Sequence, residues 1–371
     1  MAKHQEYMQQ ALQQARLAWG ISKPNPAVGC VLVRDDMVVG QGHTQEPGHA
    51  HAEVMALKQA GANAQGATAY VTLEPCSHYG RTPPCTEALL EAGVDTVVYG
   101  CEDPNPLVAG RGVQQLKDAG VTVIGPVLPA ACAAINPGFM HAMVHGKPYV
   151  FSKLASSLDG RTAMASGESQ WITGAAARAQ VHLMRAQSCA VITGIGSILA
   201  DNPSMTCRQS ELQMAGVGDN QWARIKQPLR VVLDSQLRAP INAKIFAQPG
   251  PVLVITCIDD ISLHQPYVDL GVEVAVLPGV EGKVDLAKAV QLLQERGYQQ
   301  LMLEAGAGLN ASFLQAGLVD NLQVFMAPKL LGAGGKPLLV QNIDHLEDAW
   351  QLAFSQVQQV GEDLLLSLDL S

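Results

Sequence analysis

The chain has 371 residues, too many for one ordinary core and suited to two domains. With 48% hydrophobic and 15% charged residues it should fold rather than stay disordered. A formal net charge of −9 with no basic tract argues against a polyanionic nucleic-acid partner, while a few local Arg residues could still hold a small phosphorylated ligand.

The N-terminal segment carries polar residues throughout and does not read as a signal peptide, and no apolar run approaches the roughly 18 residues of a membrane span. A cytoplasmic protein with no membrane partner is expected. The eight Cys, irregularly spaced, then read as thiols rather than a disulfide framework.

Residues 2–19 form an amphipathic helical pattern with Met8, Leu12, Ala15 and Trp19 on one stripe. The β-rich runs 28–33 and 37–40 flank a turn at Arg34-Asp35-Asp36 and read as a hairpin. Helix is expected over 51–60, ended by Gly61, then a buried strand at 69–73, a short helix at 86–92 and a strand at 96–100. Helix 114–119, strand 121–124 and one further helix over 129–145 complete the first half. Strands alternating with helices argue for a parallel or mixed sheet covered on both faces. A boundary falls near His145-Gly146-Lys147-Pro148, dividing the chain into domains 1–146 and 147–371. The second half has its own strands at 149–155, 190–193, 230–233, 252–256, 272–277, 301–303, 322–327 and 364–370, with helical pieces between many of them. Residues 211–227 are polar and unpatterned and read as a surface loop.

Three short segments carry chemistry: His51-Ala52-Glu53, Pro75-Cys76 and Pro84-Cys85. One imidazole and two thiolates supply the three protein ligands of a catalytic Zn²⁺, which keeps its fourth position for water. The metal lowers the pKa of that water, and Glu53 is the carboxylate to shuttle its proton to a leaving amine. Residues two apart do not share a helix face, so His51 and Glu53 converge only if a helix N-terminus opens end-on into the pocket. A lone His-x-Glu or Pro-Cys carries almost no signal, but His-x-Glu followed by Pro-Cys-x-x-Cys is the signature of zinc deaminases that act on nucleobases. Here eight residues, Ser77 to Pro84, separate the two cysteines instead of two.

That stretch, EPCSHYGRTPPCT over 74–86, resembles the deaminase of riboflavin biosynthesis, in which the long inter-cysteine loop is the family form. Matching pieces are Pro24-Asn25-Pro26-Ala27-Val28-Gly29, Gly42-His43, the segment 49–53 and Asp103-Pro104-Asn105-Pro106. The resemblance implies a cytidine-deaminase-like three-layer α/β/α domain with one zinc per chain, and substrate contacts at Asn25 and His43. From the residues alone Asn25 reads equally as a turn residue between prolines. His78 could contact substrate or brace its own loop, and Cys85 already completes the ligand set.

The stretch KLASSLDGRTAMASGESQWIT over 153–173 resembles the reductase domain fused to this deaminase in many bacteria, as do residues 193–197, 199–203, 304–306 and 328–332. The likeness implies a dihydrofolate-reductase-like α/β fold using NADPH. No Gly-x-Gly-x-x-Gly lies in a βαβ unit, so a standard dinucleotide fold is excluded. Two Gly-rich turns, at 194–196 and 306–308, each follow a strand and lead into a helix, where backbone N–H groups could meet a pyrophosphate or simply turn the chain. The resemblance assigns Ala155, Trp171, Gly194, Gly196, Ser197, Asp201, Ser235, Gly306 and Gly308 to the cofactor. It assigns Ser169, Arg185 and Arg208 to the reductase substrate, and Lys153 and Glu304 are candidates for polar contacts near the reacting ribose. Arg185 and Arg208 suit a phosphate through their forked donors, although a solvated Arg is the commoner fate.

The implied function is bifunctional. Zinc-hydroxide deamination of a 2-amino phosphoribosylaminopyrimidine is followed by NADPH reduction of its ribosyl group to ribityl. The alternative, a nucleic-acid-editing zinc deaminase fused to an unrelated domain, should show a basic face with exposed aromatics. The 33 acidic against 24 basic residues and 5% aromatics speak against it. A regulatory module with dead sites finds no support, because every ligand and the acid/base Glu are present. A small-molecule substrate and a homo-oligomer are expected.

Overall fold

The computed structural model describes residues 2–106 and 108–370. The chain divides into two compact units, Met1–Lys147 and Pro148–Ser371.

The first unit runs α1 (Ala2–Leu17), β1 (Gly29–Arg34), β2 (Met37–His43), α2 (Ala52–Ala60), β3 (Thr68–Leu73), α3 (Cys85–Glu91), β4 (Thr96–Cys101), α4 (Arg111–Asp118), β5 (Thr122–Ile124), α5 (Pro129–Ala133) and α6 (Pro137–His145). The β1–β2 hairpin turns at Asp35 and Asp36, whose φ values of 50° and 63° suit the right-handed twist of the flanking strands. The sheet order is β2-β1-β3-β4-β5. Strand β1 is antiparallel to both neighbours, whereas β3, β4 and β5 are parallel. Strands β2 and β3 therefore run the same way and end at one edge, which is where both ligand segments begin.

Helices cover both faces. Gly29 lies against α1, and Gly42, one residue out of register on the paired strand, faces the opposite side against α2. Met8, Ala11, Leu12 and Ala15 of α1 are buried on the sheet. Trp19 lies past the helix end, where its indole N–H donates to the Ile135 carbonyl at 3.3 Å. The single helix expected over 129–145 is two. Pro137 has no N–H to continue the first, and it starts the second at a position where none is needed. Asn136 between them clamps Ala27 with both amide atoms, at 2.7 and 2.9 Å.

The second unit contains β6 (Tyr149–Ser157), β7 (Arg161–Ala163), α7 (Ala175–Gln187), β8 (Ala190–Gly194), α8 (Ile195–Asp201), α9 (Gln209–Met214), α10 (Asp219–Trp222), β9 (Leu229–Leu233), α11 (Lys244–Ala247), β10 (Val252–Thr256), α12 (Ile261–Val268), β11 (Glu273–Val276), α13 (Leu286–Glu295), β12 (Gln300–Leu303), α14 (Ala307–Gln315), β13 (Asn321–Ala327), β14 (Lys336–Pro337), β15 (Leu352–Val360) and β16 (Asp363–Leu370). Its main sheet has nine strands in the order β11-β10-β9-β8-β12-β6-β13-β16-β15. Seven are parallel, and β16 with β15 closes one side through antiparallel pairing. Strand alternation sends Leu301, Leu303, Val231 and Ile255 into one core layer and Met302, Val232, Val254 and Phe325 into the other. This explains why these strands read as unbroken apolar runs.

The surface loop expected at 211–227 instead holds part of α9 and all of α10. One fully buried side chain, Leu212, anchors α9, and helices this short show no periodic pattern. No helix among the described residues is long and apolar enough to cross a membrane.

Candidate active sites

His51 is the N-cap of α2 and makes no side-chain capping bond, so its ring is free to turn towards the cysteines. Cys76 follows β3, and Cys85 opens α3 behind Pro84. The His51 Nδ1 lies 3.3 Å from the Cys85 Sγ and 3.6 Å from the Cys76 Sγ, and the three ligand atoms all fall within 4.8 Å of one another. Tetrahedral Zn²⁺ with bonds of about 2.3 Å to sulfur and 2.0–2.1 Å to nitrogen needs N···S separations near ~3.6 Å. The donor set therefore fits that ion. Among the described residues it is the group of His, Cys, Asp and Glu side chains converging as metal ligands.

The electrostatics agree. Cys76 is the thiolate of the pair, pulled down to about 4 by hydrogen bonding from the Cys85 thiol, against burial, with help from His51 and the Cys85 backbone N–H. Cys85 is pushed up by the Cys76 thiolate and by burial. The His51 pKa is raised by its hydrogen bond to Cys76 despite burial. A cation at this point takes the place of those shared protons. Glu53, in the first turn of α2, is buried beside these groups. Burial raises its carboxyl pKa, the Cys76 charge adds to this, and His51 opposes it. A raised carboxyl suits a group that must both accept and return a proton.

The helix start comes this close because Gly40 and Gly42 let α2 lie on β2. A Cβ at Gly42 would stand 2.5 Å from the Met55 Cβ and 2.6 Å from the Ala52 carbonyl. His43 ends β2 at the same sheet edge, and Asn25 sits in the exposed turn that leads into β1 beside it.

In the second unit, Glu304 follows β12 and meets Arg185 of α7 through two bonds, Nε to Oε2 at 2.8 Å and Nη2 to Oε1 at 2.9 Å. Lys153 of the neighbouring strand β6 lies 3.5 Å from the same carboxylate. Arg185 also gives Nη1 to the Thr206 carbonyl at 2.9 Å. Burial alone would raise the Glu304 pKa, but Arg185 and Lys153 outweigh it and hold the carboxyl at about 2. Arg208 differs from Arg185, for its side chain is 54% exposed. The Arg208 backbone N–H donates to His182 Nδ1 at 3.2 Å, and its guanidinium lies 3.1 Å from His182 Nε2. Burial, Arg185 and Arg208 lower the His182 pKa to about 3, so the ring is neutral. A neutral imidazole has one lone pair, so it cannot accept both contacts.

Strands β8 and β12 are neighbours; in place of the turn expected at 194–196, β8 passes at Gly194 straight into α8, whose first turn holds Gly196, and Gly306 caps α14, whose first turn holds Gly308. A Cβ at Gly196, Gly306 or Gly308 would meet nothing within 4 Å, so that edge of the sheet is open space a ligand can enter. Ser197 and Asp201 lie along α8, and Ala155 is within β6. Trp171 is 59% exposed, with the Arg178 guanidinium 4.5 Å from its ring centroid, and its carbonyl accepts from Lys329 Nζ at 2.8 Å. Ser169 belongs to the same loop. Ser235 is already engaged, its Oγ accepting the Val284 N–H at 3.1 Å.

Two family profiles match this chain. One describes the cytidine and deoxycytidylate deaminase zinc-binding region and covers residues 1–101. The other is the RibD C-terminal domain and covers residues 148–366. The riboflavin biosynthesis protein RibD of Escherichia coli is 45% identical over 98% of both chains. The chain belongs to the RibD family. RibD of Haemophilus influenzae is 44% identical over 97% of this chain and 96% of its own. The solved RibD of Acinetobacter baumannii superposes with a TM-score of 0.86 at 44% identity, over 100% of this chain and 99% of that one. A deaminase/reductase from Thermotoga maritima superposes at 0.85 with 30% identity and the same coverage. The protein is thus a bifunctional enzyme of riboflavin biosynthesis. A cytidine-deaminase-like zinc domain precedes a dihydrofolate-reductase-like, NADPH-dependent domain.

Three further polar groups beside these sites carry no role that the sequence assigns. Asp103 is buried, its Oδ1 accepts the Asn105 N–H at 2.8 Å, and burial holds its carboxyl up at about 6, with Glu74 and Cys76 adding to the rise. His182 and Glu74 are the others. His182 and Glu74 meet partners 26 or more positions away, so no local pattern shows what they hold, and the burial of Asp103 leaves no local trace either.

Proposed function

We propose that residues 1–146 deaminate 2,5-diamino-6-(5-phosphoribosylamino)pyrimidin-4(3H)-one and that residues 147–371 reduce the product, 5-amino-6-(5-phosphoribosylamino)uracil, at its ribosyl group, the two activities for which the Thermotoga maritima relative is named. The observation that carries this reading is the convergence of His51, Cys76 and Cys85 beside buried Glu53 in a chain whose second unit matches the RibD C-terminal domain. Bound zinc supplies an activated water at neutral pH, and bound NADPH supplies hydride.

His51, Cys76 and Cys85 hold the metal. Glu53 takes a proton from water and returns it to the departing amine. Asn25 and His43 orient the pyrimidine from the adjoining strand ends. In the reductase half, the open helix starts at Gly196, Gly306 and Gly308, with Gly194 packed against Leu309 beside them, receive the cofactor with Ala155, Trp171, Ser197, Asp201 and Ser235 around it. Lys153 and Glu304 provide fixed polar groups near the sugar, and Ser169 adds a hydroxyl.

The two arginines divide their duties. Arg185 is committed to Glu304 and keeps that carboxylate ionised and in place. Arg208, half exposed and held by His182 and by Glu211, whose Oε1 lies 3.6 Å from its Nη2, is the group that pairs with the substrate phosphate. The substrate is a small molecule and not nucleic acid, and the enzyme acts in the cytoplasm. It works as a homo-oligomer. Supporting this, β15 is an edge strand, exposed from Leu352 to Gln359, and it carries Leu352, Phe354 and Val357 in the open.

The deciding experiment supplies the diaminopyrimidine with and without NADPH and follows ammonia and cofactor absorbance separately. Ammonia should appear without NADPH. A zinc chelator should stop its release and leave reduction of the deaminated product intact. If chelation stops both reactions equally, or neither, the division of chemistry between the two halves is wrong.

A further inference from the structure

We infer that Glu74 is a positioning residue of the deaminase centre, tying the Cys76 loop to the first turn of α4, with Gln115 of the same helix bracing Cys85. The inference rests on the reading that His51, Cys76 and Cys85 hold zinc. Glu74 is buried at 3% exposure, immediately after β3 and two residues before Cys76. Its carboxylate accepts the N–H groups of Gly110 at 3.0 Å, Val113 at 3.1 Å and, more weakly, Asp103 at 3.4 Å.

These donors are not arbitrary. Gly110 is the N-cap of α4 and offers no side chain, so the orphan amides at the helix start are met by a carboxylate from another strand. The same carboxylate reaches Asp103, at the head of the loop after β4. The approach is so close that a Cβ at Gly112 would overlap the Pro75 carbonyl. The first turn of α4 therefore rests directly on Glu74-Pro75, the two residues that deliver Cys76.

The second cysteine is held from the same helix. The Thr86 N–H donates to the Cys76 carbonyl at 3.2 Å. The Thr86 hydroxyl has one proton, and its shorter contact, 2.9 Å, is to Gln115 Oε1 on α4. Glu74 and Gln115 thus fix both thiolate segments against one rigid element, although neither touches a ligand sulfur in any bond described above. Groups that orient metal ligands in this way typically change metal affinity by about 10–100-fold when removed.

The test uses the full-length zinc enzyme and two variants. In Glu74→Gln, an amide offers one oxygen where a carboxylate offered two, and its NH₂ faces backbone donors. Gln115→Leu keeps the bulk and removes only the acceptor of Thr86. Zinc release to an excess of chromogenic chelator is timed, and the absorption spectrum of the cobalt(II)-substituted protein reports the ligand geometry. Glu74→Gln should release zinc about tenfold faster or more and shift the cobalt bands. Gln115→Leu should move both in the same direction by a smaller factor. The inference is overturned by a folded Glu74→Gln protein with wild-type release and spectrum, even if its melting temperature has dropped. Should Glu74→Gln not fold, wild-type release and spectrum in Gln115→Leu overturn it instead. A wild-type protein that binds no zinc would sink the metal reading itself, which is a different result.

Discussion

A carboxyl group buried as deeply as Glu53 holds its proton more tightly than one in water, and the side chains of His51, Cys76 and Cys85 lie beside it. Glu53→Gln removes the titrating group with almost no change in volume. Zinc should remain at about one per chain while deamination falls by about 10²–10⁴-fold, read by metal analysis and ammonia release. Ammonia released at the wild-type rate would remove Glu53 from the role of proton shuttle. In the reductase half, Arg208→Ala should raise the KM for the phosphorylated substrate about tenfold to a hundredfold, the worth of one charge-assisted contact. A dephosphorylated substrate should show little change. Equal losses on both substrates would mean that Arg208 is structural. Glu304 makes a pH statement. Its folded pKa of about 2 lies below the ordinary glutamate value of 4.5, so the stability it contributes is complete above that value and is lost as pH falls through about 2. Acid unfolding followed by circular dichroism should be steeper over this window in wild type than in Glu304→Gln, and identical slopes would count against the buried ion pair. At this scale the convergence of His51, Cys76 and Cys85 beside Glu53 was legible, because their residue types and order carry the pattern. His182 was not, since an isolated His in a helix signals nothing until Arg208 is seen against it.

At the scale of elements, the position of α2 decides whether His51 and Glu53 reach the cysteines. Gly42→Ala would drive a methyl group into Met55 and the Ala52 carbonyl, at about 1–3 kcal/mol for overpacking. The strain is relieved by moving the helix start, so both the melting temperature and the zinc content should drop. A variant that melts lower yet keeps its full zinc would show that α2 need not touch β2 so closely. Periodicity revealed α1, the β1–β2 hairpin and the long parallel strands, since burial on one face or two leaves a regular trace. It failed where a single contact rules. Asn136 clamping Ala27 splits the helix over 129–145, and Leu212 alone anchors α9. Strand β15 left no trace either, because a strand exposed from Leu352 to Gln359 obeys no burial pattern.

For the whole molecule, that exposed edge is the feature most in need of a partner. Unpaired backbone groups beside Phe354 and Val357 form a template for a second strand, and a second copy of this chain can supply one. Phe354→Glu should convert an oligomer to a smaller species in light scattering and leave deamination at its wild-type rate. A wild-type protein that is monomeric at working concentration, or a variant that stays assembled, would remove β15 from that role. The sequence by itself determined the class of chemistry and the two-part organisation. Ligand types, their order along the chain and unbroken apolar strands are properties of short segments, and segments are what a sequence displays. Only the tertiary structure decided which polar groups meet one another. Arg185 proved to be committed to Glu304, and Arg208 was left half exposed. Arg230 lies fully buried, its guanidinium donating to carbonyls of residues 245 and 248–250. Glu74 reaches Gly110 and Val113 from another element. Hydrogen bonds and ion pairs act over about 3–4 Å of space whatever the separation in chain, so their partners become known only when the strands and helices are packed.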